Sequence, residues 1–270
     1  MNFGVITLQD APWPELVARW RRLEELGIDT IWVADHLGSD RLAPRQPWFE
    51  AWSCLTALAH VTSRPRIGPL VSSMTLRNPA VLARTALTVA ELSGGRLELG
   101  IGSGASEFDH RAADVPMWSP KERAAAFTVW VERLREMLAD DSFHPKRDIP
   151  LTIAGRGKTI LGLAARYADR WNTYGGFGIG PEEAVQGARE DNARLDDLCA
   201  QTGRIVLRSA LIGHPFNGET PWRSDEALAD VVGRWEDAGF DELVFFYPTE
   251  WEMPDGSVEP GLFERMLGKG

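Results

Sequence analysis

The chain has 270 residues, of which 44% are hydrophobic and 25% charged, and its formal net charge is −10. This composition is typical of a globular protein with a large core, and the acidic balance argues against a nucleic-acid partner, which needs a basic surface. No apolar run approaches the roughly 20 residues of a membrane span. Cys54 and Cys199 are the two cysteines, and so few are typical of the reducing cytoplasm. We therefore expect a cytoplasmic protein that binds neither nucleic acid nor membrane.

Strand-like and helix-like segments alternate along the chain. The first strand is Phe3–Leu8, and apolar residues then recur every three or four positions from Trp13 to Leu26, the pattern of an amphipathic helix that ends at Gly27. Strand two, Thr30–Ala34, is an apolar run without alternation, which suits a parallel strand buried on both faces. Further strands are predicted at Arg66–Val71, Arg96–Ile101, Leu151–Ala154, Arg170–Tyr174, Ile205–Ile212 and Leu243–Phe246.

Helices are predicted between these strands. They span Glu50–Val61, Pro79–Leu92, Pro120–Leu138, Lys158–Ala168, Pro181–Thr202, Asp225–Ala238 and, at the end, Gly261–Leu267. The longest loop, Gly102–Trp118, follows the fourth strand. Regular alternation of strand and helix favours a parallel sheet, and eight such units in 270 residues favour a closed barrel over an open doubly wound sheet. The sequence therefore predicts one (β/α)8 TIM-barrel domain over residues 1–270, with a loop insertion after strand four.

Polar residues at the carboxyl ends of the strands are the candidates for chemistry, because barrels of this kind carry their active sites there. His36, after strand two, is the best acid–base candidate, since imidazole titrates near neutral pH; the alternative is a histidine that only caps the strand end. Asp35 is expected to point to the other side of the strand. Four further polar residues at strand ends are candidates for a substrate pocket: Thr7, Glu107, Tyr174 and His214.

Two glycine-rich turns also follow strands. Gly155-Arg156-Gly157 opens the helix after strand five, where free backbone N–H groups and the arginine suit a phosphate; the alternative is a tight connection only. The run from Gly100 to Gly104 lacks the third glycine of a dinucleotide fingerprint and enters a loop, which argues against a Rossmann site. Its glycines are expected to let a flat ring system lie against the strand ends.

Several other barrel chemistries are disfavoured. The four lysines lie on predicted helices, loops or the tail, where a Schiff-base aldolase would need one on a strand. The histidines and carboxylates do not converge as a metal-dependent hydrolase or a glycosidase requires, and no Gly-x-Ser-x-Gly elbow is present. We therefore expect no metal.

Three segments resemble the luciferase-like monooxygenases and their deazaflavin-dependent relatives. The longest, Thr62–Gly104, contains the sequences Arg-Asn-Pro-Ala, Leu-Ser-Gly-Gly-Arg and Gly-Ile-Gly-x-Gly. Gly27–Leu37 and Ile149–Gly175 resemble the strand-two segment and the strand-five to strand-six segment. Together the three cover most of residues 1–176 in family order, while the last third matches in pattern alone.

The resemblance implies roles for particular residues. A bulge with a non-prolyl cis peptide is implied at strand three, supporting an isoalloxazine or deazaflavin ring, and the turn after strand five would hold the cofactor phosphate. Asp35 and His36 resemble the Asp-His pair of the deazaflavin branch, in which the histidine faces the reactive ring carbon, and the two are therefore the predicted catalytic residues. The cofactor-binding residues implied in this way are Leu70, Val71, Ser72, Ser73, Ser103, Gly104, Ala105, Ala154, Gly155, Arg156 and Gly157.

Two departures bear on the substrate. The branch that acts on sugar phosphates carries a tryptophan four residues after the histidine, where this chain has Asp40, and a glutamate where it has Ala105. A sugar phosphate is therefore not expected, although Glu107 offers a carboxylate two residues later. Tryptophan-rich, weakly charged walls indicate an apolar or aromatic substrate.

Three functions are compatible with the resemblance. The favoured one is hydride transfer between coenzyme F420 and a small organic substrate, with His36 as the proton donor or acceptor. The alternative is a two-component monooxygenase that uses reduced FMN and O2 and depends on a separate flavin reductase. The third is a non-catalytic flavin-binding barrel. The resemblance also implies a homodimer formed through the second and third helices.

Overall fold

A computed structural model of the protein describes residues 1–40, 46–176, 178–248, 261, 262 and 265, with the backbone alone at residues 214 and 215. Within these ranges, nine parallel strands form one sheet in the order β3-β2-β1-β9-β8-β7-β6-β5-β4. The strands are β1 (Asn2–Thr7), β2 (Thr30–Val33), β3 (Arg66–Pro69), β4 (Ser72–Ser73), β5 (Leu99–Gly102), β6 (Leu151–Ala154), β7 (Arg170–Thr173), β8 (Leu207–Ile212) and β9 (Glu242–Phe246).

The two ends of this sheet meet and close a barrel. A parallel bridge joins Ile67 to Leu97, just before β5, and Glu98 N donates to Ile67 O over 2.9 Å. On the other side of the break, β4 pairs with β5. Since β3 and β4 are two halves of one strand, the barrel has eight strands and the predicted (β/α)8 fold is confirmed. The predicted third strand, Arg66–Val71, is wrong in one respect, because it is interrupted after Pro69.

Helices alternate with the strands. They are α1 (Trp13–Leu26), α2 (Ala51–Val61), α3 (Pro79–Leu92), α4 (Glu107–Ala112), α5 (Pro120–Ala139), α6 (Lys158–Tyr167), α7 (Pro181–Thr202), α8 (His214–Asn217) and α9 (Asp225–Asp237). The sequence analysis missed α4 and α8, so the segment after strand four is not a simple loop. The predicted helix Gly261–Leu267 lies mostly outside the described residues. No helix in the described part of the chain is long and apolar enough to span a bilayer.

The interior of the barrel has its own hydrophobic cluster, separate from the layer between strands and helices. Its centre is Trp32, which is fully buried. Glycines make room for this indole: a Cβ on Gly4 would lie 2.9 Å from Trp32 Nε1, and one on Gly68 would lie 2.8 Å from the ring and 2.1 Å from Glu98 O. Trp32 therefore fills the barrel and forms the floor beneath the carboxyl ends of the strands.

A buried polar layer closes the barrel at its other end. Arg170 lies between two carboxylates, with its Nε 2.7 Å from Glu98 Oε1 and its Nη1 2.8 Å from Glu242 Oε2. Ser209 Oγ donates to Glu242 over 2.7 Å. Burial raises the pKa of Glu242, although the charge of Arg170 opposes it. These contacts tie β7, β8 and β9 to the segment before β5, so the open end of the barrel is the carboxyl end.

Replacing Gly68 by alanine is expected to destabilise the protein by about 3 kcal/mol or more, because the new Cβ collides with backbone as well as with Trp32. Gly162→Ala is the matched control: a Cβ at this position in α6 meets no atom within 4 Å, and the change should stabilise the helix by roughly 1 kcal/mol. Urea unfolding of both variants checks this. Equal stability of the two would show that the interior of the barrel is not filled as described.

Candidate active site at the barrel mouth

His36 stands at the end of β2 with a carboxylate against its ring. Its Nδ1 lies 2.6 Å from Asp109 Oδ2, and Leu37 N donates to Asp109 Oδ1 over 2.8 Å. The imidazole is 44% exposed, whereas the Asp109 side chain is 2% exposed. Trp48 Nε1 donates to His36 O over 2.7 Å and fixes the backbone of the same residue. The ring is therefore held on one edge and open to the barrel mouth.

Asp109 is the partner that the sequence analysis missed. It lies on α4, whose first turn is capped by Ser106, with Asp109 N donating to Ser106 Oγ over 3.2 Å. Burial opposes ionisation of Asp109, but the hydrogen bonds from His36 and Leu37 outweigh it and lower its pKa. An ionised Asp109 accepts the Nδ1 proton of His36 and leaves Nε2 as the atom that can exchange a proton. The serine three residues before the aspartate was the available signal.

Asp35 has a different role from the catalytic one predicted for it. Its carboxylate is 2% exposed and accepts hydrogen bonds from both Arg77 Nε, at 2.9 Å, and Ser72 Oγ, at 2.8 Å. Arg77 also contacts Glu50 over 2.7 Å. Burial alone would lower the pKa of Arg77, but Asp35 and Glu50 hold it above its ordinary value. Asp35 therefore acts as a structural anchor, and it points away from His36 as expected.

The predicted bulge lies between β3 and β4. The peptide bond between Leu70 and Val71 is cis, as the resemblance implies. The Ser72 hydroxyl is fully buried between Trp52 Nε1, 3.0 Å away, and Asp35. Ser72 consequently has its hydroxyl engaged within the protein, and a ligand would meet Leu70 and Val71 instead. Contact between this bulge and a cofactor ring stays a prediction.

Gly102, the last residue of β5, and Gly104 just after it are needed by the protein itself. A Cβ on Gly102 would lie 2.6 Å from Val71 Cγ2, and one on Gly104 would lie 2.3 Å from Ser73 Oγ. The expectation that these glycines make room for a flat ring is therefore corrected: they let β5 approach the bulge. Ser103 and Gly104 are half-buried and Ala105 is exposed, so this turn remains accessible to a ligand.

The turn between β6 and α6 presents backbone. Gly157 has φ 89°, no described side chain caps the helix, and a Cβ there would meet nothing within 4 Å. Ala154 and Gly155 are half-buried beside it. The predicted role of Arg156 is not supported, because its Nε lies 2.6 Å from Asp191 Oδ2 and its Nη1 donates to Gly175 O. Arg156 therefore connects the end of β7 to α7. The start of α6 is left with free backbone N–H groups and open space beside Gly157.

The four residues predicted to line a substrate pocket lie in different places. The prediction for Thr7 is wrong, because its side chain is fully buried outside the barrel and accepts a hydrogen bond from Trp20 Nε1 on α1 over 3.0 Å. Glu107 is exposed and lines an open surface cleft formed by residues 107–117, of about 560 Å³. Tyr174 is half-buried against the interior cluster. His214 begins α8, and its side chain lies outside the described residues.

The sequence analysis predicted Tyr174 but missed the two phenylalanines that join it in an aromatic wall at the ends of β7, β8 and β9. Phe216 on α8 stacks on Phe246 at 5.5 Å and contacts Tyr174 at 5.6 Å between ring centroids. Buried Asn217 anchors α8 by donating to Leu211 O over 3.0 Å and to Tyr174 O over 3.2 Å. The four residues of α8 are too few for a periodic pattern. In the part of the chain that is described, no three His, Cys, Asp or Glu side chains are grouped to hold a metal.

The model of one protein family, described as luciferase-like monooxygenase, matches residues 1–196. The chain belongs to this family. The sequence resemblance is thereby confirmed, and the match takes in both halves of the His36–Asp109 pair.

Relatives of this luciferase-like chain include an F420-dependent glucose-6-phosphate dehydrogenase of Amycolatopsis mediterranei, 32% identical over 61% of this chain and 54% of the relative. A phthiodiolone/phenolphthiodiolone dimycocerosates ketoreductase of a Mycobacterium species is 31% identical over 74% of this chain and 60% of the relative. A 5,10-methylenetetrahydromethanopterin reductase of Methanolobus tindarius is 26% identical over 63% and 52%. The chain thus spans about half to 60% of the length of these relatives.

Solved structures of low sequence identity share the fold. An F420-dependent secondary alcohol dehydrogenase, in complex with an F420-acetone adduct, superposes with a TM-score of 0.74 at 15% identity, over 91% of this chain and 92% of that chain. A long-chain alkane monooxygenase superposes with a TM-score of 0.73 at 13% identity, over 99% and 89%. At such identities the likeness supports the barrel fold of this luciferase-like chain.

Asp109→Asn is expected to lower the free energy of unfolding by about 2 kcal/mol at pH 7, because an amide cannot accept from both His36 and Leu37. The folded-state pKa of Asp109 is lowered, so its stabilisation is present above its unfolded pKa and is lost as pH falls through the folded value. The difference from wild type should therefore narrow below about pH 4, as urea unfolding across pH can measure.

Asp40→Asn is the control, since Asp40 is 67% exposed in its ion pair with Arg111 and exposed pairs contribute at most about 1 kcal/mol. An Asp109→Asn variant that behaves like this control at every pH would contradict the role of the buried carboxylate.

Proposed function

We propose that this chain is an F420-dependent oxidoreductase that transfers a hydride between the deazaflavin and a small organic substrate. The observation that carries the proposal is the half-exposed His36, oriented at the barrel mouth by the buried Asp109. An imidazole with one nitrogen held by a carboxylate and the other open is suited to proton exchange with a bound substrate. Several matched relatives are named as F420-dependent enzymes, which favours this cofactor.

The residues at the mouth fit such a cofactor. Leu70 and Val71 offer an apolar surface for a ring above the Trp32 floor. The accessible turn of Ser103, Gly104 and Ala105 would line the ring and its side chain. The uncapped start of α6, with open space at Gly157, suits a phosphate, because free N–H groups and the helix dipole favour an anion. When bound, the deazaflavin supplies a carbon that accepts or donates a hydride.

His36 would accept or donate the proton that accompanies the hydride transfer. Oxidation of an alcohol to a carbonyl releases one hydride from carbon and one proton from oxygen, and reduction consumes both. Asp109 holds the Nδ1 proton, so Nε2 accepts the substrate proton in one direction and returns it in the other. The carboxylate also stabilises the imidazolium that forms meanwhile. Asp35 and Arg77 take no part in proton transfer, because they are paired with each other.

An anaerobic titration with F420 and with reduced FMN tests the cofactor. We expect micromolar or tighter binding of F420 and a clear preference over reduced FMN. A preference for reduced FMN, with O2 consumption coupled to substrate turnover, would contradict the proposal and identify a two-component monooxygenase. A folded protein that binds neither cofactor would be a non-catalytic barrel.

His36→Gln is expected to reduce turnover by roughly 10²–10⁴-fold, the usual contribution of a general acid–base group. F420 affinity should remain within about threefold of wild type, a change of less than 1 kcal/mol. His60→Gln on α2 is the control: its imidazole is exposed and bound to Thr56 O at 2.8 Å. A loss of less than tenfold in the His36 variant, or an equal loss in the control, would remove His36 from this role.

A further inference from the structure

The rim of the barrel mouth divides into two sectors of different chemistry. Half-buried apolar side chains follow β1, β2, β7 and β8 and pack on the interior cluster: Leu8, Trp48, Tyr174 and Phe216. Together with β9, which contributes Phe246, these strands are contiguous in the barrel. The remaining part of the rim carries the bulge between β3 and β4, the glycine-rich end of β5 and the open start of α6. An apolar sector therefore faces a sector made of the bulge, small residues and backbone.

The apolar sector contains a rigid aromatic wall. Phe216 and Phe246 are nearly parallel, with 10° between ring planes, and Tyr174 continues the contact. Asn217 is fully buried and holds α8 on the ends of β7 and β8. Because this anchor fixes the backbone of the neighbouring Phe216, the ring is positioned before a ligand arrives. Preorganised, half-exposed aromatic surface of this kind binds planar or apolar groups.

Among the described residues, three arginines near the mouth are already in ion pairs. Arg77 is paired with Asp35 and Glu50, Arg111 with Asp40 at 2.9 Å, and Arg156 with Asp191 at 2.6 Å. Recruiting Arg77 or Arg156 to an anionic substrate would leave a buried carboxylate unpaired, whereas the exposed Arg111–Asp40 pair is weak. These pairs disfavour a phosphorylated substrate in the apolar sector.

We infer that the substrate is an uncharged alcohol or carbonyl compound with an aromatic or bulky apolar group beside the reacting carbon. Phe216 determines this specificity by contacting that group, while the reacting oxygen lies toward His36. The inference rests on the proposed function for the reaction, but the contact with Phe216 concerns binding alone. It places the substrate in the apolar sector and the cofactor in the sector of the bulge, β4, β5 and β6.

Calorimetric titration of the full chain without cofactor tests the inference, with acetophenone and glucose 6-phosphate as probes. We expect acetophenone to bind and glucose 6-phosphate not to bind. Phe216→Ala should weaken acetophenone binding about tenfold, the loss of one aromatic contact, and Phe216→Leu should weaken it less. Phe143→Ala is the matched control. Phe143 is also half-buried, but it lies on the loop before β6, where its ring contacts Arg84 of α3. This control should leave the affinity unchanged.

Three results would overturn the inference: no binding of acetophenone by the wild type, binding of glucose 6-phosphate at equal or higher affinity, or equal effects of the Phe216 and Phe143 variants. A tenfold loss of F420 affinity in Phe216→Ala would also overturn it, by assigning the wall to the cofactor. Failure of F420 to bind the wild type, together with acetophenone binding that depends on Phe216, would refute the proposed function and leave the substrate class standing.

Discussion

The carboxylate of Asp35 holds the barrel mouth together. It binds Arg77 and Ser72, and through them it connects the end of β2 with the start of β4 and the turn before α3. The side chain of Arg77 also contacts Glu50, which caps α2. The backbone carbonyl of Arg77 accepts a hydrogen bond from Trp130 Nε1 on α5 over 2.8 Å. Breaking a buried ion pair by removing one partner costs about 3–5 kcal/mol. This network fixes Ser72 just after the interruption of the third strand, while Leu70 N donates to Val33 O over 2.9 Å on the β3 side.

The position of Asp35 in the strand explains why Asp35 and the adjacent His36 have different roles. Successive side chains of an extended strand point to opposite faces. Trp32 and Ala34 face the interior, Asp35 faces the helices, and His36 returns to the mouth. A structural carboxylate therefore fixes the backbone immediately before the imidazole, while a second carboxylate, Asp109, comes from α4 to orient the ring. Two acidic residues are needed because one side chain cannot face both sides of the strand.

The local patterns of the sequence were sufficient to predict most of the barrel. Pro79–Leu92, Leu151–Ala154 and Pro181–Thr202 have the predicted bounds, because caps, prolines and apolar runs mark their ends. The short helices α4 and α8 carry no such periodicity, and they supply Asp109 and Phe216. The pairing of Asp109 with His36 spans 73 residues, a distance over which single-sequence patterns hold no information.

Two errors at the site have a common origin. Thr7 was placed at the mouth by its position at a strand end, yet strand parity puts Ile6 inside and Thr7 outside. The glycines at the end of β5 and just after it were assigned to a ligand, yet Val71 and Ser73 occupy the space that side chains would need. In both cases the residue type was informative, but the neighbour that it serves is set by the closure of the barrel.

The family match contains the cofactor side of the mouth in full and the apolar sector in part. The match covers residues 1–196, which contain β4, β5, β6, the start of α6 and the His36–Asp109 pair, and also Leu8, Trp48 and Tyr174 of the apolar sector. Phe216, Asn217 and Phe246 lie beyond it. A shared cofactor requires a shared set of residues around the ring and phosphate, whereas different substrates require different walls. The residues proposed to serve F420 thus fall in the part of the barrel that the family model matches, and most of the aromatic wall falls beyond it.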